Sequence, residues 1–181
     1  MKRLISSLAL TAALCLGHGA QAGVLTFDKP GVIDIDPMTN VATYTEAGFK
    51  ISGDAASFLT FSDGLLGFSG APLSLKAVNE TSFALASLDR SFFDLGQGEI
   101  PGELTVIGLL GGMQVASLSL SLGALASATF GADWSTLTEV TFSATSAFLL
   151  DNINAVPEPA SAPMVALALA GLAFGARRRR A

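Results

Sequence analysis

The sequence predicts an all-β domain, a two-sheet antiparallel sandwich of jelly-roll kind, flanked by an N-terminal signal helix and a single C-terminal transmembrane helix. Three observations lead there. Between Gly23 and Ala155, short β-prone runs alternate with glycine-rich and polar turns, and no stretch holds a sustained helical apolar period. Leu118, Leu120 and Leu122 alternate with Ser119 and Ser121, the two-residue rhythm of a half-buried strand. Both ends carry an uncharged apolar run beside basic residues, Leu4 to Leu16 after Lys2 and Arg3, and Met164 to Ala176 before Arg177 to Arg180.

The first segment, residues 1–22, has the layout of a secretory signal. A positive start and a short apolar run lead to Ala20 and Ala22, small residues at the two positions a signal peptidase reads, so Gly23 opens the mature chain. A lipoprotein signal needs a small residue before Cys15, and Leu14 stands there instead. Residues 23–155 then form the β-domain. Its expected strands are Val24 to Asp28, Gly48 to Ser52, Ser57 to Phe61, Pro72 to Val78, Ser82 to Leu88 and Glu103 to Leu110. They continue as Gln114 to Gly123, Ser127 to Gly131, Leu137 to Phe142 and Ala147 to Ile153. Gly111-Gly112 sits between two of these runs and predicts a tight hairpin, because such turns need positive φ. Eleven of the 12 phenylalanines fall in the domain, chiefly at strand positions, and predict a core. Phe27, Phe49, Phe83, Val106, Leu120, Phe142 and Leu149 are its expected members.

Export changes the chemical inventory. Cys15 and His18, the only cysteine and histidine, both leave with the signal. Ser-His-Asp and Cys-His catalysis and histidine or cysteine zinc sites are therefore excluded from the mature chain. No phosphate-binding glycine loop is present. Residues 23–176 hold four basic residues against 15 acidic ones, a net charge of −11, which opposes binding to nucleic acid or anionic lipid. Two carboxylates suffice for a glycoside hydrolase, so a carboxylate-dependent secreted hydrolase stands as the alternative function. A single Trp and a single Tyr argue against an aromatic sugar cleft. Trp134, in the loop-like GADWSTLT, is the one candidate ligand platform, weighed against a core role.

Oxygen-ligand metal binding suits an acidic, loop-rich chain, and Ca²⁺ is the cofactor it would take. Asp34 and Asp36 of DIDP lie on one side of an extended segment. If the first and last strands are neighbours, Asp28 would meet Asp151 and Asn152 in a calcium site.

The last 26 residues, 156–181, carry three parts in order: Pro157-Glu158-Pro159, the apolar run 164–176, and Arg177, Arg178, Arg179 and Arg180. This arrangement resembles the PEP-CTERM sorting tail of exported bacterial proteins. The resemblance implies an exosortase-type membrane peptidase as partner, with delivery to the cell surface or an exopolysaccharide matrix. Physics agrees with a disposable anchor. Thirteen residues rise only ~20 Å as a helix, short of a ~30 Å hydrocarbon core. The arginines would stay cytoplasmic by the positive-inside rule, leaving the β-domain periplasmic and tethered to the inner membrane until cleavage. The phrases TFD, YTEAGFKI, FALASLD, LTVIG, FGADWSTLTEVTFSA and LLDNI resemble galactose-binding-like sandwiches, which implies adhesion or binding to extracellular polysaccharide. The expected function is therefore a non-catalytic surface or matrix protein of biofilm type.

Overall fold

Apolar and polar residues alternate along most of the domain, and in the computed structural model that alternation becomes strand pairing. The structure describes residues 23–28, 33–61, 64–94, 96 and 101–158. Its first strands are β1 (Gly23–Leu25), β2 (Ile33–Asp36), β3 (Val41–Glu46), β4 (Phe49–Asp54), β5 (Phe58–Phe61) and β6 (Gly64–Gly67). Then come β7 (Leu73–Ala77), β8 (Phe83–Phe92), β9 (Glu103–Leu110) and β10 (Met113–Ser121). The series ends with β11 (Ala126–Thr129), β12 (Glu139–Ala144) and β13 (Phe148–Pro157). Among the described residues the one helical piece is a 3₁₀ turn, Ala132–Trp134, and no helix is long and apolar enough to cross a membrane. The expected signal helix over 1–22, with Ala20 and Ala22, lies outside the described residues. So do the expected transmembrane helix over 164–176, Pro159 and the Arg177 to Arg180 cluster.

Two antiparallel sheets result. One runs β11-β8-β13-β6-β5, with β1 added beside β13, and the other runs β10-β9-β12-β7-β4-β3-β2. Inner faces alternate residue by residue: Leu73, Leu75 and Ala77 of β7, Val140, Phe142 and Ala144 of β12, and Leu104 and Val106 of β9 are all buried. The opposite sheet answers with Phe83, Leu85 and Leu88 of β8 and Phe148, Leu150, Ile153 and Ala155 of β13. Phe49 and Phe83 meet edge to face across the sandwich at 5.3 Å, one ring from each sheet. The β9–β10 hairpin turns through Gly111 and Gly112, with φ of 58° and 83°, as their sequence predicts.

Three strands escaped sequence reading. β2 and β3 are short and rich in Thr, Asp and Glu, and β6 is the four-residue GLLG. Two expected core residues also differ. Leu149 points outward between buried Phe148 and Leu150, and Leu120 is half-buried on the edge strand β10, where only one neighbour covers it. Phe27, Phe49, Phe83, Val106 and Phe142 are fully buried as expected. The last strand continues through Pro157, past the boundary read at residue 155, and the compact unit ends at Glu158.

The chain leaves β1 for the opposite sheet through Thr26, Phe27 and Asp28, and Glu46 pins that crossing. Its carboxylate accepts from the Thr26 and Phe27 N–H groups at 3.1 and 3.0 Å, from Thr26 Oγ1 at 3.1 Å and from Tyr44 Oη at 3.0 Å. Two successive N–H groups aimed at one anion form a small nest. Phe27 is held there at φ 56°, its ring buried 5.2 Å from that of Tyr44. Burial, the Glu46 bond and the nearby Glu46 and Asp28 charges push the Tyr44 phenol well above its ordinary value.

Candidate functional site

β13 is the organising strand of its sheet, with β8 on one side and β6 and β1 on the other. It carries two polar features, one in its middle and one at its end.

In the middle, Asp151 lies opposite Asp89 of β8, and the register then slips so that Asn154 faces Ser87. Two β13 residues thus oppose one of β8, a bulge, and Asn152 within it takes φ 46°. Asparagine tolerates that left-handed conformation better than most residues. The bulge aims the Asn152 amide between two carboxylates, where Nδ2 donates to Asp89 Oδ2 at 2.9 Å and to Asp151 Oδ2 at 3.1 Å. Its N–H donates to Asp151 Oδ1 at 2.7 Å, and Ser127 Oγ of β11 donates to Asp89 Oδ1. One neutral amide thereby offsets the repulsion of two acids on adjacent strands. The patch faces outward, because Leu88, Ala128 and Leu150 beside it are buried. It offers closely spaced carboxylate acceptors, groups that read hydroxyl-rich ligands.

The sequence-predicted calcium residues fare differently. β1 and β13 are indeed neighbours, Leu25 opposite Ile153. Asp151 and Asn152 meet Asp89, a residue that sequence reading missed. Asp28 accepts from Thr26 Oγ1 at 2.8 Å and acts on Tyr44 alongside Glu46. Among the described residues no group of three or more acidic, histidine or cysteine side chains stands where it could hold a metal ion. Asp36 of DIDP caps a turn instead, accepting from the Met38 N–H and Thr39 Oγ1, both at 2.8 Å, which lowers its pKa. Trp134 is 6 % exposed and packed on Phe130 with ring centroids 4.7 Å apart, so it caps the core and presents no platform for a sugar ring. The GADW segment reads as a loop because the 3₁₀ turn that buries the indole is only three residues long.

At the strand's end, Pro157 closes the ladder opposite Phe83. Phe83 gives both backbone groups to Leu137, at 2.8 Å each way, so the Pro157 rung needs no N–H. Glu158 follows. Its N–H donates to the Ser82 carbonyl at 3.0 Å, and its carboxylate accepts from Ser82 Oγ at 2.6 Å. The Ser82 hydroxyl foremost, with that of Thr136 after it, holds the Glu158 carboxyl below its ordinary value of 4.5. Neither was singled out from sequence, since a serine and a threonine 54 positions apart in so Ser- and Thr-rich a chain carry no signal.

Gly23, where signal cleavage is expected, pairs with Ala155 two residues before Pro157. A side chain at that position would strike the Ala47 carbonyl, so the first residue of β1 must be glycine. Gly23 therefore pairs with the same strand that carries Pro157.

Comparison with known proteins identifies the segment. Residues 155–180 match the PEP-CTERM protein-sorting motif. The chain thus carries the tail of exported proteins that exosortase, a membrane protease, sorts and processes. No curated protein matches the chain.

Proposed function

We propose that an exported protein with this tail serves as a non-catalytic component of the cell surface or extracellular matrix, and that its sandwich binds glycan. The match over residues 155–180 carries the sorting half of this reading. The short apolar run and Arg177 to Arg180 would hold the β-domain on the far side of the inner membrane until exosortase cuts the tail. The glycan half is supported by the outward patch of Ser127, Asp89, Asp151 and Asn152, whose carboxylate acceptors suit sugar hydroxyls. A galactose-binding-like sandwich is the fold relationship that accompanies it.

Intact mass of the protein recovered from the cell surface tests the sorting reading. The expected species begins at Gly23 and lacks Met164 to Ala181, and a full-length C-terminus on that material would refute it. Retention on exopolysaccharide beads tests the second part. Asn152→Ala should abolish retention, and a domain that flows through unretained is not a glycan binder.

A further inference from the structure

Between Ala155 and Ala176, Glu158 is the only charged side chain. Any receptor that reads this stretch, short of the arginines, by charge must read that carboxylate, and it must do so with hydrogen-bond donors. The folded domain already supplies them. Ser82 Oγ stands 2.6 Å away, and the Glu158 N–H is taken by the Ser82 carbonyl. One residue earlier, Pro157 occupies a rung of the β8–β13 ladder against the buried ring of Phe83. A peptidase that binds its substrate as an extended segment engages the same backbone groups that this ladder uses.

We propose that the β-domain masks its own sorting motif, with Ser82 clasping Glu158, so that exosortase acts only on molecules whose final β13 rungs have opened. The inference rests on the sorting reading above. Opening is local. Among the described residues β1 pairs no further along β13 than Ala155, and the strand partner of Val156 and Pro157 is β8. The β8 side is the rigid partner, since Phe83 is locked to Leu137 and to Phe49. Terminal rungs of this kind fray at far lower free energy than the core unfolds. A protease that captures only the open form sees its apparent affinity reduced by the closed fraction. Ser82 is a positioning residue in this scheme and touches no reacting atom.

The experiment uses the full chain, expressed in a host that contains exosortase and followed by pulse-chase from precursor to cleaved form. Ser82→Ala should quicken processing about fivefold, roughly the effect of one lost hydrogen bond. A Gly-Ser spacer between Val156 and Pro157 moves the motif off the ladder while leaving the Ser82 hydroxyl in place, and it should quicken processing at least as much. Processing unchanged or slowed in both variants would overturn the mask, the slower outcome meaning that the clasp presents the motif. Glu158→Ala, in the wild type and in the spacer background, separates the two readings. Loss of processing there upholds recognition of the motif. A wild-type precursor that is never cut, or a Glu158→Ala chain cut at the normal rate, would overturn the sorting reading and the mask together.

Discussion

Two carboxylates hold the two ends of the domain, and they do so differently. Glu46 receives two main-chain N–H groups, a threonine hydroxyl and a buried phenol, all within 3.1 Å, and it fixes the crossing from β1 into the opposite sheet. Glu158 receives one side-chain hydroxyl at the rim, that of Ser82, beyond the last rung of β13. Removing the first strands main-chain N–H groups and a phenol in partly buried surroundings. Removing the second leaves a hydroxyl and a strand end that water can satisfy. A carboxylate clasp is therefore a staple or a latch according to what surrounds its donors, and the number of hydrogen bonds alone does not decide which.

Stability measurements can sharpen that contrast against the core as a yardstick. Phe142 is fully buried in β12, and Phe142→Ala should cost roughly 3–5 kcal/mol in denaturant unfolding. Glu46→Ala comes next, at roughly 2–4 kcal/mol, because it strands the Thr26 and Phe27 N–H groups and the Tyr44 hydroxyl in partly buried surroundings. If Glu46→Ala costs no more than Ser82→Ala, the distinction between staple and latch collapses.

The staple should also appear in alkaline solution. Tyr44 is 1 % exposed and its folded pKa lies above its ordinary value of 10.0, so the neutral phenol is favoured in the fold. Above that ordinary value the unfolded chain releases the proton and the folded chain keeps it. Stability then falls by up to ~1.4 kcal/mol per pH unit, and below it Tyr44 contributes no pH dependence. Tyr44→Phe should remove this part of the slope. Because Tyr44 is the only tyrosine, phenolate absorbance follows it without ambiguity. Ionisation at the ordinary value in the folded protein would contradict the burial.

Much of the sandwich was legible because its core strands obey a two-residue rhythm. β7, β9 and β12 bury every second residue, and the glycine pair of the β9–β10 hairpin announces itself by composition. β2 and β6 were missed for opposite reasons. β2 has little to bury at the sheet edge, and β6 buries all four of its residues and so shows no alternation. The sites were less legible still. Asp151 and Asn152 stood out as polar residues inside an apolar run, yet their partner is Asp89, 62 positions before Asp151, and the bulge that joins them depends on register. Pro157-Glu158-Pro159 was readable as a tail motif because its parts are contiguous. That its first two residues belong to the last strand and its clasp could not be read, since proline argues against a strand unless the rung needs no N–H.

The smallest effect on global stability is expected at the latch, and it is the most specific. Ser82→Ala should change the unfolding free energy by less than ~1 kcal/mol, because Glu158 is a rim residue whose lost bond water can replace. Acid should act on the same contact in the wild type. The folded-state pKa of Glu158 is depressed by the Ser82 and Thr136 hydroxyls, so the contact is complete above the ordinary 4.5 and is lost as pH falls through the lower folded value. Nuclear magnetic resonance of the mature chain can follow this through the amide shifts of Glu158 and Phe83. Both should move together with one acidic midpoint below that of a free glutamate, while the amides of Ile51 and Val140 in the opposite sheet stay fixed. In Ser82→Ala the midpoint should rise towards the ordinary value with the fold intact. A midpoint already ordinary in the wild type would mean that Glu158 is not clasped in solution. A transition shared by Ile51 and Val140 would mean that acid opens the sandwich as a whole and that the latch has no independent motion.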